Sequence, residues 1–131
     1  MSPEKKELIE GWYNKAEQDI VAADLVITSG PMLYDIAAFH AQQCAEKYIK
    51  AFIVYHEAFP PKVHDIKKLL DLACSFDPSF KELRSAESLS KYSVRSRYPD
   101  DFEIGERSEV DEILRLAKMV KKFVREKIGL V

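Results

Sequence analysis

At 131 residues the chain is long enough to bury a hydrophobic core and short enough to form one domain, which we expect to span residues 1–131. A composition of 47% apolar and 32% charged residues excludes an intrinsically disordered chain. The formal net charge of −2 excludes a whole-domain electrostatic attraction to nucleic acid or to anionic membrane, so any such binding would have to be local.

The N-terminal segment lacks the apolar stretch of a signal peptide, and no run approaches the ~18 apolar residues of a membrane span. The two cysteines, Cys44 and Cys74, form neither a CxxC motif nor a disulfide framework. We therefore expect a cytoplasmic protein without membrane association, in which both cysteines are reduced and buried.

The first predicted helix begins at Ser2, a residue type that caps helices, and Pro3 suits the first helical position. Apolar residues then recur every three or four positions, which is typical of an amphipathic helix packed on a core. These are Ile9, Trp12, Ala16, Ile20, Ala23 and Ile27. The sequence SGP at 29–31 predicts the end of the helix, with Gly30 as its C-terminal cap.

The second predicted helix runs from about Leu33 to Glu57 and is apolar around most of its circumference, as expected for the central helix of a bundle. Its stretch DIAAFHAQQCAEKYIKAF nevertheless carries His40, Gln43 and Lys47. Spacings of three and four residues place these side chains along one edge of the helix. A buried helix does not need a polar edge to fold, so the edge is a ligand site, a subunit contact or a hydrogen-bonded part of the core.

Three further helices are predicted after the FPP turn at 59–61. The third has the sequence HDIKKLLDLACSF, and the fourth, FKELRSAESLSKY, is rich in serine and is expected to be more exposed. An ordered loop containing Pro99 and Gly105 separates it from a last helix at roughly Ser108 to Lys127. The whole pattern predicts an all-α fold, an up-and-down bundle of about five helices.

Charge is polarised along the last helix, with seven acidic residues in 100–112 and five basic residues in 118–127. The acidic start and the basic end match the helix dipole. We interpret the pattern as a solvated helix face, with a basic binding end as the alternative.

Motifs for metal binding and for nucleophilic catalysis are absent from the sequence. His40 and Cys44 lie four residues apart, which a metal would accept, but a metal needs further ligands, and neither HExxH nor CxxC is present. The sequence also contains no GxSxG, GxGxxG or GxxxxGK[ST] motif. We therefore expect no metal and no cofactor, and assign no catalytic residue.

The segment KYSVRSRYPDD at 91–101 is the stretch most typical of a binding site. Arginine offers forked donors to phosphate, and tyrosine offers a face on which a base can stack. The same residues suit a structural role, in which Pro99 stiffens the loop, an aspartate pairs with Arg97 and the tyrosines close one end of the bundle. The sequence leaves both interpretations open.

Four segments, in chain order WYNKAEQDIVAADLV, YDIAAFHAQQCAEKYIKAFIV, FPPKVHDIKKLLDLA and SRYPDD, resemble the HEPN domain family. The resemblance covers the chain from Trp12 to the final helix, and the FHAQQxAEKxxKA core together with the RYPD loop makes it specific. It implies an up-and-down helical bundle that usually forms a homodimer, often beside a small nucleotidyltransferase in toxin–antitoxin-like pairs. A related domain closes the C-terminus of the large chaperone-like protein sacsin, where nucleotide binding is attributed to it.

Many HEPN proteins are metal-independent ribonucleases, whose signature is an arginine followed by a histidine with four to six residues between them. In that chemistry the histidine transfers a proton and the arginine stabilises charge at the phosphorus. The signature cannot be written here, because the three histidines, His40, His56 and His64, all precede the first arginine, Arg84. The resemblance therefore does not carry ribonuclease activity over to this chain.

We expect a non-catalytic, homodimeric binding module with a cleft near the second helix and the RYPD loop. The cleft would bind a nucleotide or RNA phosphate, a minimal nucleotidyltransferase partner, or both. The candidate ligand-binding residues are His40, Gln43, Lys47, Tyr92, Arg95, Arg97, Tyr98 and Asp100. One alternative is a metal-independent ribonuclease or nucleotide-processing enzyme that uses His40 or His64 with a loop arginine. Another is a purely structural protein-binding subunit.

Overall fold

The computed structural model describes residues 1–94 and 104–130 of the chain. Its main elements are α1 (Pro3–Val26), α2 (Tyr34–Tyr55), α3 (Ile66–Phe76), a 3₁₀ segment (Pro78–Tyr92) and α4 (Arg107–Ile128), with short 3₁₀ turns at Ile27–Ser29 and Pro31–Leu33. These described ranges contain no strand, and the predicted all-α bundle of about five helices is confirmed. None of the helices described is both long enough and apolar enough to cross a membrane.

Local capping sets the helix ends close to the positions that the sequence predicts. At the start of α1 the Ser2 hydroxyl accepts a hydrogen bond of 3.1 Å from the backbone N–H of Lys5. Gly30 follows the first 3₁₀ turn with φ of 108°, and Gly129 ends α4 with φ of 79°. Both φ values lie in the region that favours glycine, which suits these residues to the ends of helical segments.

The first two helices run antiparallel, with α2 at the centre of the bundle and most of its residues buried. Near one end of the pair Lys5 Nζ lies 3.6 Å from Glu57 Oε1, and further along Asp19 contacts His40. The connection 56–65 then returns along α2, since it brings His64 beside Glu46 before α3 begins. The last residue of α3, Phe76, stacks on His56 just after the end of α2, so α3 runs in the same direction as α2.

The 3₁₀ segment, at 15 residues, is much longer than the short runs in which this helix usually occurs. Every third residue of the segment is buried, namely Phe80, Leu83, Ala86, Leu89 and Tyr92, each at most 3% exposed. A helix with three residues per turn aligns such residues on one line, and this line faces the core. The predicted fourth helix thus buries one line of residues in the core, while its other positions are half-buried or exposed.

Aromatic rings join the 3₁₀ segment to the two long helices beside it. The Phe80 ring centroid lies 4.0 Å from that of Phe52 on α2 and 5.0 Å from that of Phe123 on α4.

Two details of the predicted core differ from the structure. On α1, Tyr13 is buried whereas Trp12 is only half-buried, and of the cysteines Cys44 is buried but Cys74 is partly exposed.

Candidate functional site

The polar edge of α2 is anchored to α1 through one carboxylate. Asp19 is 8% exposed, and its Oδ1 lies 2.9 Å from His40 Nδ1 while its Oδ2 accepts from Lys47 Nζ. Long side chains on a helix point back toward its N-terminus. Lys47 therefore reaches the same carboxylate as His40, which lies two turns earlier on α2. We call Asp19, His40 and Lys47 the Asp19 cluster.

A second cluster lies beside it on α2, centred on Glu46, which is 3% exposed. Its Oε1 lies 2.8 Å from His64 Nδ1, and its Oε2 accepts from Lys50 Nζ at 3.1 Å. The buried Gln42 amide donates to Glu46 Oε1 at 3.3 Å and to the His64 carbonyl at 3.2 Å. We call Glu46, Gln42, Lys50 and His64 the Glu46 cluster; it repeats the combination of a carboxylate, a lysine and a histidine.

Gln43 lies between His40 and Lys47 on the half-buried edge of α2 and contacts the Glu46 cluster. Its Nε2 donates to Gln42 Oε1 at 2.6 Å, so Gln42 is a donor on one side and an acceptor on the other. The predicted trio of His40, Gln43 and Lys47 is therefore half-buried and hydrogen-bonded within the chain. It is a positioned polar edge, not a set of loose surface side chains.

Both histidines use Nδ1 to contact a carboxylate, which orients the ring and leaves Nε2 as the second functional nitrogen. In residues 1–94 and 104–130, neither Nε2 has a hydrogen-bond partner. The His40 side chain is 29% exposed and that of His64 is 61% exposed. Each Nε2 can therefore accept a proton or, in the protonated ring, donate a hydrogen bond to an anionic ligand.

A third polar cluster joins α1, α2 and α4. The Tyr48 hydroxyl donates to Glu17 and accepts from Arg125 Nε at 3.1 Å, while Lys121 Nζ lies 2.6 Å from Glu17 Oε1. Burial acts to raise the pKa of Glu17, but Lys121, Tyr48 and Arg125 together hold it below its ordinary value. Burial, together with the bond to Glu17, raises the pKa of Tyr48.

The basic half of α4 lines a groove of about 680 Å³ against α1. Its cations are largely balanced there, because Lys118 lies 2.9 Å from Asp24 and both Lys121 and Arg125 contact Glu17. Ion pairs with α1 therefore occupy three of the five basic side chains in 118–127. This arrangement favours the interpretation of the basic end of α4 as a helix face over that of a basic binding end.

The loop candidates Arg95, Arg97, Tyr98 and Asp100 lie outside the described residues. Tyr92, the remaining candidate, is 3% exposed and belongs to the buried stripe of the 3₁₀ segment, where its hydroxyl lies 3.4 Å from Glu109 Oε1. Its ring is packed inside the bundle and is not presented as a stacking surface. This corrects its interpretation as a face for a base and favours the structural alternative for this residue.

Across the described parts of the chain, no group of three or more histidine, cysteine, aspartate or glutamate side chains is arranged to hold a metal. His40, which the sequence places one turn from Cys44, contacts Asp19 instead. Burial, followed by the negative charges of Glu17 and Asp19, raises the pKa of the Cys44 thiol, so it stays protonated.

Sequence reasoning missed Asp19, whereas Glu46 belongs to the FHAQQxAEKxxKA core of the resemblance but was not among the candidate ligand-binding residues. One signal was available for Asp19, since it is a charged residue directly beside the apolar face formed by Ala16, Ile20 and Ala23. A charge in that position needs a partner from the neighbouring helix, and the polar edge of α2 supplies it.

The HEPN domain profile matches residues 9–127 of the chain. The chain belongs to the HEPN domain family. It is 26% identical over 139 residues to the Methanocaldococcus jannaschii protein named "Putative toxin MJ1304", an alignment that covers 91% of this chain and 90% of that protein.

Two solved structures are similar to this HEPN protein. TT1696 from Thermus thermophilus is 29% identical with a TM-score of 0.73, covering 91% of this chain and 97% of that one. ST0689, described as an archaeal HEPN homologue, is 28% identical with a TM-score of 0.71, covering 92% and 97%. The fold and the family expected from the sequence are thus confirmed.

Proposed function

We propose that this HEPN protein is a homodimeric binding module of a toxin–antitoxin-like system, and that the polar edge of α2 binds a phosphate group of a nucleotide or of RNA. Support for the toxin–antitoxin-like role comes from the relative named as a toxin. Support for the phosphate site comes from the Asp19 cluster, which holds an imidazole and an ammonium side by side on one carboxylate.

The Asp19 cluster is the observation that carries the proposal. Asp19 fixes His40 through Nδ1, and a protonated imidazole can then donate from Nε2 to a phosphate oxygen. Lys47 adds a second donor, and Gln43 lies between them with one amide hydrogen not used by Gln42.

The proposal assigns further phosphate donors, of a different geometry, to the RYPD loop. Arg95 and Arg97 carry planar guanidinium groups, which bind phosphate through two parallel hydrogen bonds. Tyr98 offers an aromatic face to a base. These roles rest on the chemistry of the residue types and on the family's loop motif.

Isothermal titration of the purified protein with ATP, GTP and a short single-stranded RNA tests the proposal. We expect micromolar binding that is lost in Arg97→Ala and in His40→Gln. Arg115→Ala is the matched control, because Arg115 is an arginine on α4 whose side chain is 60% exposed. It should bind like the wild type, and all variants should melt cooperatively. Absence of binding to all three ligands would overturn the phosphate proposal in favour of a nucleotidyltransferase partner or a purely structural protein-binding role.

The contact between Asp19 and His40 also favours a second candidate, a metal-independent ribonuclease or nucleotide-processing enzyme. A carboxylate on Nδ1 selects the tautomer that accepts a proton at Nε2, which suits removal of the proton from a 2′-hydroxyl. Incubation of RNA with the protein in EDTA, followed on a gel, distinguishes the two functions. Cleavage that disappears in His40→Gln would replace the binding module with the enzyme.

A further inference from the structure

The residues of α1 and α2 face each other in a regular antiparallel order along the groove between the two helices. Lys5 Nζ lies 3.6 Å from Glu57 Oε1. Seven positions further along α1, the Trp12 ring faces Lys50, which lies seven positions before Glu57 on α2, and Lys50 Nζ is 5.9 Å from the ring centroid. Equal steps on two antiparallel helices keep facing residues level with each other, so the same step locates the residues beyond Trp12.

This order extends to the Asp19 cluster and places Lys15 beside it. Seven positions after Trp12, Asp19 is level with Gln43, and it contacts the residues of α2 three positions before and four positions after Gln43. Lys15 lies one turn before Asp19 and is therefore level with Lys47 across the groove. Spacings of three and four residues place Trp12, Lys15 and Asp19 on one edge of α1, which faces the polar edge of α2.

Lys15 brings to this groove a positive charge that no carboxylate in the described chain balances. The other two lysines between the facing edges are each bound to a carboxylate, Lys47 to Asp19 and Lys50 to Glu46. Lys15 is exposed and forms no ion pair with any described residue. Because each of the two carboxylates already neutralises one ammonium, Lys15 supplies the attraction that an anionic ligand of the polar edge needs.

Trp12 offers an aromatic surface at the other end of the same edge. Its ring is half-buried and lines a groove of about 400 Å³ between α1 and the end of α2, together with Leu8 and Val54. Leu8, one turn before Trp12, is 60% exposed. A partly open aromatic ring beside apolar side chains is a surface on which a nucleic acid base stacks. At 1.5 Å per residue, Trp12 lies about 10 Å from Asp19 along α1.

We propose that the polar edge of α2 and the facing edge of α1 together bind a nucleoside di- or triphosphate, with the base stacked on Trp12 and the outer phosphates between Lys15 and Lys47. This inference rests on the phosphate site of the proposed function and names its ligand. In a nucleoside monophosphate only the ribose separates the phosphate from the base, whereas each added phosphate extends the ligand along the groove from Trp12 toward the Asp19 cluster.

The charge of the two edges favours a free nucleotide over an RNA strand. An RNA strand is held by a track of cations along its backbone. Within residues 1–94 and 104–130, the facing edges of α1 and α2 carry one lysine without a carboxylate partner, Lys15. A compact chain of two or three phosphates at one position matches this arrangement.

Trp12 is the only tryptophan of the chain, so tryptophan fluorescence reports directly on a base stacked there. Titration of the full chain with ATP should quench this fluorescence, and ATP should bind about tenfold or more tightly than AMP. Inorganic tripolyphosphate should displace ATP and restore the fluorescence, because it occupies the phosphate positions and has no base.

Substitutions separate the base position from the phosphate position in calorimetric titrations. Trp12→Leu should weaken ATP binding by about tenfold and change the affinity for tripolyphosphate by less than about twofold. Trp12→Phe keeps an aromatic face and should bind ATP nearly as the wild type does. Lys15→Ala should weaken the binding of both ligands by about fivefold. Lys81→Ala, which removes an exposed lysine of the 3₁₀ segment, is the matched control and should change neither affinity.

The results that overturn this inference differ in what they leave of the proposed function. If ATP binds without a change in Trp12 fluorescence and Trp12→Leu binds it normally, the base lies elsewhere and the phosphate site is retained. If a short single-stranded RNA binds and ATP does not, the nucleoside polyphosphate is the wrong ligand and the phosphate site is again retained. If neither nucleotides nor RNA bind, the phosphate site fails together with this inference.

Discussion

Replacing Lys47 with methionine removes one of the two partners of a nearly buried carboxylate while keeping a side chain of similar length. The Asp19 side chain is 11% exposed, its Oδ2 contacts Lys47, and its Oδ1 lies 2.9 Å from His40 Nδ1. In Lys47→Met the imidazole alone remains to stabilise the carboxylate. A charge that is shielded from water and has lost its ammonium partner destabilises the folded state.

The size of the effect follows from the burial of the pair. Loss of one partner from a fully buried ion pair costs about 3–5 kcal/mol, whereas an exposed pair contributes up to about 1 kcal/mol. The Lys47 side chain is 23% exposed, and His40 still contacts one oxygen of Asp19. We therefore expect the free energy of unfolding to fall by about 2 kcal/mol, equivalent to a loss of roughly 6–10 °C in Tm.

Urea unfolding followed by circular dichroism measures this loss against a matched lysine. Lys118 Nζ lies 2.9 Å from Asp24, but the two side chains are 50% and 47% exposed, so Lys118→Met should cost at most about 1 kcal/mol. Asp19→Asn combined with Lys47→Met removes both charges and should recover part of the loss. Equal losses for Lys47→Met and Lys118→Met would refute the reasoning.

Three further predictions concern buried hydroxyl, carboxyl and thiol groups. Tyr13→Phe should raise the free energy of unfolding by up to about 1 kcal/mol, because the Tyr13 hydroxyl is buried without a hydrogen-bond partner in the described chain. Tyr48→Phe loses two hydrogen bonds and should lower the free energy of unfolding by about 1–2 kcal/mol. The opposite order of the two variants in urea titrations would contradict this. Since the folded pKa of Glu17 is lowered, its stabilisation is present above the unfolded value near 4.5 and is lost as the pH falls through the folded value. The wild type should therefore have a higher Tm than Glu17→Gln at neutral pH, and the difference should vanish in acid. In native buffer a thiol reagent should modify the partly exposed Cys74 and spare Cys44, whose pKa burial raises; equal rates would exclude this.

The sequence predicts the positions of the helices well, because their signals are local. Ser2, the SGP stop and the apolar repeats are read from neighbouring residues, and the observed α1, α2 and α4 end within a few positions of the predictions. The 3₁₀ geometry of Pro78–Tyr92 was also readable, since its buried residues recur at a strict period of three. Apolar residues at a period of three also fit an amphipathic α-helix approximately, so the sequence analysis predicted an α-helix where the structure has a 3₁₀ helix.

The candidate site was predicted less completely, because its partners are distant in the chain. The sequence identifies His40, Gln43 and Lys47 as a polar edge on an apolar helix, and the structure places them together. Their anchor, Asp19, lies 21 and 28 positions earlier on another helix. Which side chains meet across two helices depends on the packing of those helices, and helical periodicity alone does not specify it.

Imidazole NMR of the three histidines during a titration with single-stranded RNA tests the phosphate site most directly. A bound phosphate should shift the Nε2 resonance of His40 in proportion to saturation measured by calorimetry. His56, whose ring stacks on Phe76 at 4.8 Å, serves as an internal reference and should stay unchanged. Saturation of the protein with no change at His40 would contradict a phosphate site on the polar edge of α2.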